Sequence, residues 1–440
     1  MIQSIHTQAQ LEQANARLGG SLPYTDDLRP LAQPLTVGTR TVPNRIAYQA
    51  MEGCDGTRSG SPDELTIRRY HRFAQGGPGV IWFEATAVQQ DGRANPRQLY
   101  MTPENRDDFA RLVHEIKEIC VRENGYEPLV FCQLTHSGRY SKPDGVPAPL
   151  IAYNNPIFEK DHPISSDRIL SDNALDRIGA HLVASAQLAE QAGFDGADIK
   201  CCHRYLLCEL LSAYERPGKY GGSYENRTRL LRESVQGAIA ACGSDFLIST
   251  RMNAYDGFPY PYGFGVQPGQ DIVPDWSEAI RLVGDLKSEG VKIVNITMGN
   301  PYFNPHVNRP YNHGGYVPPE EPFTGVNRML TGIATIQRAH PDVPLISSGL
   351  TWLSDASANV AAACVRDGWF AMAGYGRMTL AYPDIARTIV AGHRPEPNRC
   401  CIACSKCTEI MRTPGGTPGC VIRDGDVYLP IYKRQCVNKG

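Results

Sequence analysis

Cysteine is the residue whose placement in this chain most directly suggests chemistry. Fourteen cysteines occur in 440 residues, and five of them fall between Cys400 and Cys420. In the segment RCCIACSKCTEIMRTPGGTPGC, Cys401, Cys404 and Cys407 are spaced three apart, and Cys420 follows after twelve intervening residues. Three thiolates on one tight loop can hold three corners of a cube, with a fourth returning from a Gly/Pro turn, as in ligation of a [4Fe–4S] cluster. A structural zinc ion stays open as the alternative, although such sites usually pair two CxxC knuckles. Cys400 is adjacent, but the spacing works without it. Scattered members such as Cys120, Cys242 and Cys364 read as buried small hydrophobes.

The elements that must position this chemistry follow from periodicity. Short β-branched or apolar runs at 45–50, 79–84, 128–134, 195–200, 245–251, 291–297, 344–349 and 369–374 read as strands. Between most of them lie stretches with apolar residues at i, i+3 and i+4, such as RDDFARLVHEIKEICVREN and NALDRIGAHLVASAQLAEQAG. Eight strands alternating with helices or long loops predict an α/β fold, a (β/α)8 TIM barrel, with a doubly wound open sheet as runner-up. No GxGxxG or GxxxxGK[ST] follows a strand, so nucleotide binding through those loops is unsupported. In a barrel the chemistry belongs at the C-terminal strand ends, which read QAMEG, FEATAV, QLTHSGR, KCCHRY, TRMN, TMGN, SSGL and GYGR. The Pro/Gly-rich stretches 253–265 and 311–325 are long loops able to wall a pocket.

Composition excludes several classes. A hydrophobic fraction of 42% supports a large core, and 44 Lys+Arg against 46 Asp+Glu predicts no nucleic-acid partner. No run of about 18 apolar residues predicts a membrane span. The opening MIQSIHTQAQLEQ lacks the basic and apolar regions of a secretory signal. The expectation is a cytoplasmic protein with reduced thiols rather than a disulfide framework.

Several segments together resemble the old yellow enzyme family, and within it the iron–sulfur branch that includes 2,4-dienoyl-CoA reductase, 2-enoate reductase and trimethylamine dehydrogenase. They are PNRIAYQAM (43–51), RRYHRFAQGGPGVIWFEATAV (68–88), QLTHSGR (133–139), GFDGADIKCCHRYLLCELLSAYERPGKYGGSYENRTR (193–229), GYGR (374–377) and the cysteine run. The resemblance extends from about Leu35 to Cys420. It implies an N-terminal extension (1–30), an FMN-binding barrel (31–395) and a short C-terminal [4Fe–4S]-binding segment (396–440), with Cys401, Cys404, Cys407 and Cys420 as cluster ligands.

It also implies roles for particular residues. Gln133 would bond the pyrimidine side of the flavin, and Arg251 would stabilise negative charge near N1 and the C2 carbonyl. Gly349, Gly376 and Arg377 would cradle the FMN phosphate, while Met51 would pack under the isoalloxazine. His203 and Lys200 would polarise a substrate carbonyl, and Tyr205 would protonate the α-carbon after hydride leaves flavin N5. The implied activity is an ene-reductase acting on an enone or enoyl-type C=C bond. The alternative is a flavin-dependent amine dehydrogenase that passes electrons out through the cluster. Lys200 and Glu52 depart from the family pattern. A carboxylate at the flavin edge would disfavour anionic flavin unless protonated or paired, and Lys200 is the expected partner. Larger relatives append FAD- and NAD(P)-binding domains, whereas only twenty residues follow Cys420 here. The expected partners are therefore a small-molecule substrate and a separate electron donor, either ferredoxin, flavodoxin or a flavoprotein reductase. A homo-oligomer is allowed by the sequence but not readable from it.

Overall fold

The computed structural model describes residues 4–270 and 272–437. Residues 1–3 and 438–440, the outermost parts of the two expected flanking segments, lie outside the described residues. Among the described residues there are ten strands. β1 (Leu35–Val37) and β2 (Arg40–Val42) form a small antiparallel hairpin. The remaining eight are β3 (Ile46–Tyr48), β4 (Val80–Ala87), β5 (Leu129–Thr135), β6 (Gly196–Ile199), β7 (Leu247–Tyr255), β8 (Val294–Met298), β9 (Leu345–Ile346) and β10 (Ala373–Tyr375). They pair in parallel in the order β10-β3-β4-β5-β6-β7-β8-β9. A parallel bridge between Ile346 and Met372 joins the two ends of that order. This is a (β/α)8 TIM barrel, and each of the eight expected strand segments contributes one strand. An open doubly wound sheet is excluded by the sequential order and by the bridge.

Every residue of these eight strands is buried, as expected of parallel strands covered on both faces. Alternation decides which face each residue serves. Ala47, Val80, Trp82, Leu129, Phe131, Leu247 and Ile293 share one apolar cluster with Val37 and Val42 of the hairpin, which closes the N-terminal end of the barrel. The intervening residues Ile81, Phe83, Val130 and Cys132 belong to the larger cluster beneath the helices. The N-terminal helix Gln8–Leu18 starts at a Thr7/Gln10 capping box and stops at Gly19, whose φ of 65° is the left-handed conformation that glycine adopts cheaply. Its Leu11 and Ala14 are buried in the same core. Among the described residues, no helix is long and apolar enough to cross a membrane.

The C-terminal segment is fastened to the mouth of the barrel by polar contacts. Arg69, buried in the helix Glu64–Gln75, binds Asp55 at 2.8 Å and Glu84 at 2.6 Å. The Thr417 hydroxyl donates to Asp55, and the Pro418 carbonyl accepts from Arg69. Nearby, Arg68 and Arg72 hold Asp424. Burial alone would raise the Asp55 carboxyl, but Arg69 together with the Thr417 and Thr66 hydroxyls holds Asp55 below the usual range. Burial pushes the Glu84 carboxyl up to about 7, with Arg69 offsetting only part of the rise.

A carboxyl raised in the folded state binds its proton there at pH values where the unfolded chain has already released it. Stability is therefore expected to fall as pH rises from about 4.5 to 7, by on the order of 3 kcal/mol from this group. Thermal melting of the wild type and of Glu84→Gln between pH 5 and pH 8 checks this. An unchanged slope in the variant would show that Glu84 is not the titrating group.

Candidate functional site

The inward-facing series of the strands runs on from the apolar layer into polar residues. Two positions beyond Ala47, Phe131 and Ser249 come Gln49, Gln133 and Arg251. Two beyond Asp198 comes Lys200. Because side chains alternate, the same period that fills the barrel aims these groups at its C-terminal mouth. A cleft opens there, about 1110 Å³ including its open throat. Met51, Glu52, Gln133, Lys200, His203, Tyr205, Arg251, Gly349, Gly376 and Arg377 all line it. The structure thus brings together every residue singled out for flavin or substrate contact. Cys407 reaches the same cleft, with Thr408, Met411, Arg412 and Pro418 of the C-terminal segment beside it.

On one side of the cleft, Asp198 organises the floor. Its carboxylate accepts from Trp82 Nε1 at 2.7 Å, Gln133 Nε2 at 2.6 Å and the Arg251 backbone N–H at 2.6 Å. The Arg251 guanidinium itself is buried and lightly used. One Nη donates to the Ala50 carbonyl at 3.3 Å, and Nε has no partner. Burial lowers its affinity for its proton, with only weak compensation from Cys202 and Asp198. A buried cation with unspent donors is suited to a ligand that brings electronegative atoms. That fits the carbonyl edge of a flavin.

The other end of the cleft suits a phosphate. Gly349 adopts φ 95°, and a Cβ there would lie 2.7 Å from Met329 Sδ. A Cβ at Gly374 would meet the Ser347 carbonyl at 1.9 Å, so the chain approaches closely there only because glycine occupies the position. Arg377 and Arg309 stand beside these loops in the cleft. Burial, then repulsion from Arg377, lowers Arg309 to about 9. Crowded guanidiniums call for an anion. Arg309 was not identified from the sequence, because its loop carries neither strand-end spacing nor a motif. Asp198 and Gln49 were also missed, although an acid inside an otherwise apolar strand was a readable signal.

The substrate side is built on a strained turn. His203 and Arg204 both have positive φ, 64° and 62°, a conformation costly for residues with a Cβ. Arg204 is buried against Asp256 at 2.9 Å, and the His203 N–H donates to Asn253 Oδ1 at 3.1 Å. These contacts hold the turn, leaving His203 Nε2 buried without a partner. Burial, aided by Arg251 and Lys200, keeps that imidazole well below its ordinary range and therefore neutral. Glu52 accepts from Lys200 Nζ at 3.4 Å and from the Tyr205 hydroxyl. Lys200 Nζ also lies 3.5 Å from the centre of the Tyr205 ring.

The four cysteines Cys401, Cys404, Cys407 and Cys420 line a second, smaller cavity together with Arg377 and Arg423. Ala403 and Ser405 flank Cys404 with φ of 52° and 61°, a strained wrap of the loop about that thiol. The Arg423 N–H donates to Cys420 Sγ at 3.2 Å. Burial pushes the Cys401 thiol up to about 12, and Cys407 and Cys420 add to the rise. Among the described residues, no three His, Cys, Asp or Glu groups converge closely enough to hold a single metal ion. The four cysteines share the lining of one small cavity. Four thiols are the ligand type that a [4Fe–4S] cluster takes.

The chain matches the model of the NADH:flavin oxidoreductase / NADH oxidase family over residues 30–396. It is 29% identical over 267 residues to an NADPH dehydrogenase of Clostridium acetobutylicum, covering 60% of this chain and 72% of that one. Among solved structures it is similar to a 2-naphthoyl-CoA reductase at 18% identity, with a TM-score of 0.71, covering 90% of this chain and 57% of that chain. It is also similar to histamine dehydrogenase from Rhizobium sp. 4-9, at 20% identity and a TM-score of 0.62, covering 83% and 48%. The chain thus spans about half the length of both structures.

Proposed function

The chain belongs to the NADH:flavin oxidoreductase / NADH oxidase family, and from that premise we propose that this flavin oxidoreductase is an FMN- and [4Fe–4S]-dependent ene-reductase acting on enone or enoyl-type substrates. The observation that carries the reading is the meeting of an unpartnered histidine, a proton-bearing phenol and a buried, underused arginine in one cleft. Bound there, FMN would supply hydride to the β-carbon, and a [4Fe–4S] cluster on Cys401, Cys404, Cys407 and Cys420 would supply single electrons from a separate ferredoxin, flavodoxin or flavoprotein reductase.

The protein's own residues do the rest. Gln133 and Arg251 orient the pyrimidine edge, Met51 packs near it, and Gly349, Gly376 and Arg377, with Arg309, bind the phosphate. His203 Nε2 donates to the substrate carbonyl, with the ammonium of Lys200 adding positive charge, so that the β-carbon becomes electrophilic. Tyr205 holds the proton destined for the α-carbon. Glu52 is paired with Lys200, which offsets its charge beside the flavin.

One observation favours the amine dehydrogenase as a second reading. The Glu52 carboxylate, which accepts from Tyr205, could equally accept a proton from an ammonium substrate. Mixing anaerobic protein carrying reduced flavin with 2-cyclohexen-1-one separates the two. The enone is expected to restore the oxidised-flavin spectrum. If the flavin stays reduced with enone, while a simple tertiary amine bleaches the oxidised form, the reductase reading is wrong.

A further inference from the structure

We propose that Tyr302 is the relay through which solvent protons reach Tyr205, so that the buried phenol is recharged in place after each turnover; this rests on the reading of Tyr205 as the proton donor. Tyr205 is only 2% exposed, and its hydroxyl is hydrogen-bonded on two sides. On one side stands Glu52, whose carboxylate also accepts from Lys200 and, at 3.4 Å, from Gln98. The Tyr205 O–H donates to Glu52. On the other side the Tyr302 hydroxyl lies 2.7 Å away. With the Tyr205 proton committed to Glu52, the Tyr302 O–H must donate to the Tyr205 oxygen. The chain therefore has a direction, from Tyr302 to Tyr205 to Glu52.

Its outer end is open. Tyr302 is 37% exposed, whereas Tyr205 is sealed. The loop holding it is fixed by Asn300 Oδ1, which accepts from the Tyr302 N–H at 2.8 Å, while Asn300 Nδ2 binds the Tyr140 hydroxyl. The Tyr302 ring stacks on Tyr140 at 4.1 Å. Arg412 lies over its other surroundings, 5.4 Å from the ring centre, and is itself tied to the Pro301 carbonyl. Burial and then Glu52 hold the Tyr302 hydroxyl protonated, with Arg412 offsetting only a small part, so Tyr302 passes its proton on only as another arrives.

The relay answers a problem that the site creates. When Tyr205 gives its proton to the substrate carbon, its O–H bond breaks, a C–H bond forms and a phenolate is left beside Glu52. Two anions in a buried site repel strongly. Glu52 as a carboxylate has no proton to return, and Lys200 sits over the ring face. Of the two described groups hydrogen-bonded to the Tyr205 hydroxyl, Tyr302 is the hydroxyl, and the more exposed residue, at 37% against 19% for the Glu52 side chain. Its O–H breaks as the Tyr205 O–H re-forms, and water supplies the replacement, so the net transfer is one proton from solvent.

The test follows exchange of the Tyr205 hydroxyl proton with water in the cofactor-bearing protein, using the proton resonance that disappears in Tyr205→Phe. Tyr302→Phe is expected to slow this exchange roughly 10-fold or more, and to slow enone-driven flavin reoxidation until added imidazolium restores it. Tyr302→His restores a titratable group and is expected to recover exchange, with a pH dependence centred near the imidazole range of about 6.5. Unchanged exchange in Tyr302→Phe, or a histidine variant no faster than phenylalanine, would overturn the relay. Failure of the reductase reading has a different signature, since wild-type protein would then ignore the enone while the exchange measurement still judged Tyr302.

Discussion

Tyr205→Phe is expected to lower enone reduction by about 10²–10⁴-fold, the range that a positioned general acid contributes, while FMN stays bound. The substitution removes one oxygen from a ring that is fully enclosed, so packing is retained. What disappears is the donor to Glu52 and, on the proposed reading, the proton for the α-carbon. The carboxylate keeps Lys200 and Gln98, which limits the structural cost. The expected signature is specific. Flavin reduction and the flavin spectrum remain near wild type, and the loss falls on reoxidation by enone. His203→Ala is expected to act differently, weakening substrate binding as well, because on the proposed reading its neutral imidazole would hold the carbonyl rather than the carbon. Anaerobic rapid mixing of reduced enzyme with graded enone separates the limiting rate from the apparent affinity. A Tyr205→Phe enzyme that reoxidises as fast as wild type would remove Tyr205 from the chemistry.

Much of this site was legible because strand alternation and residue type point the same way. Gln133 follows Phe131, and Arg251 and Lys200 follow Ser249 and Asp198, at the two-residue period of inward-facing positions, so the barrel reading already aimed them at the mouth. The pairing of Lys200 with Glu52 followed from charge logic, since two departures at one flavin edge had to answer each other. The resemblance supplied the roles, and those remain proposals. Tyr302, Arg309 and Asp198 were harder. Tyr302 and Arg309 sit on the long loop after β8, where no period constrains direction, and only the folded chain shows which groups turn inward. The hairpin of β1 and β2 escaped the strand assignment because each strand has three residues and only one of them is buried. The fastening of the C-terminal segment was also invisible, because Asp55, Arg69 and Thr417 are brought together from positions far apart in the chain.

The cysteine run is where geometry adds most to spacing. Cys407 lines both the large cleft and the small thiol cavity, so it stands at the junction of the two. Its neighbours on the flavin side, Thr408, Met411 and Arg412, belong to the helix Lys406–Met411 and the residue that follows it. Cys407→Ala is therefore expected to abolish iron and acid-labile sulfide, which should be about four of each per chain in the wild type if a cubic cluster is held. FMN is expected to stay, because Gly349, Gly376, Arg377 and Arg251 are untouched. Turnover driven by reduced ferredoxin should fall to background, whereas enone reoxidation of flavin reduced directly by light should stay within a few-fold of wild type. Cys242→Ala, a partly buried thiol far from the run, is the control that should change none of these. Retention of the metal in Cys407→Ala would rule that thiol out as a ligand. One zinc per chain in place of iron would instead favour the structural-ion alternative, and the barrel would then need electrons from another route.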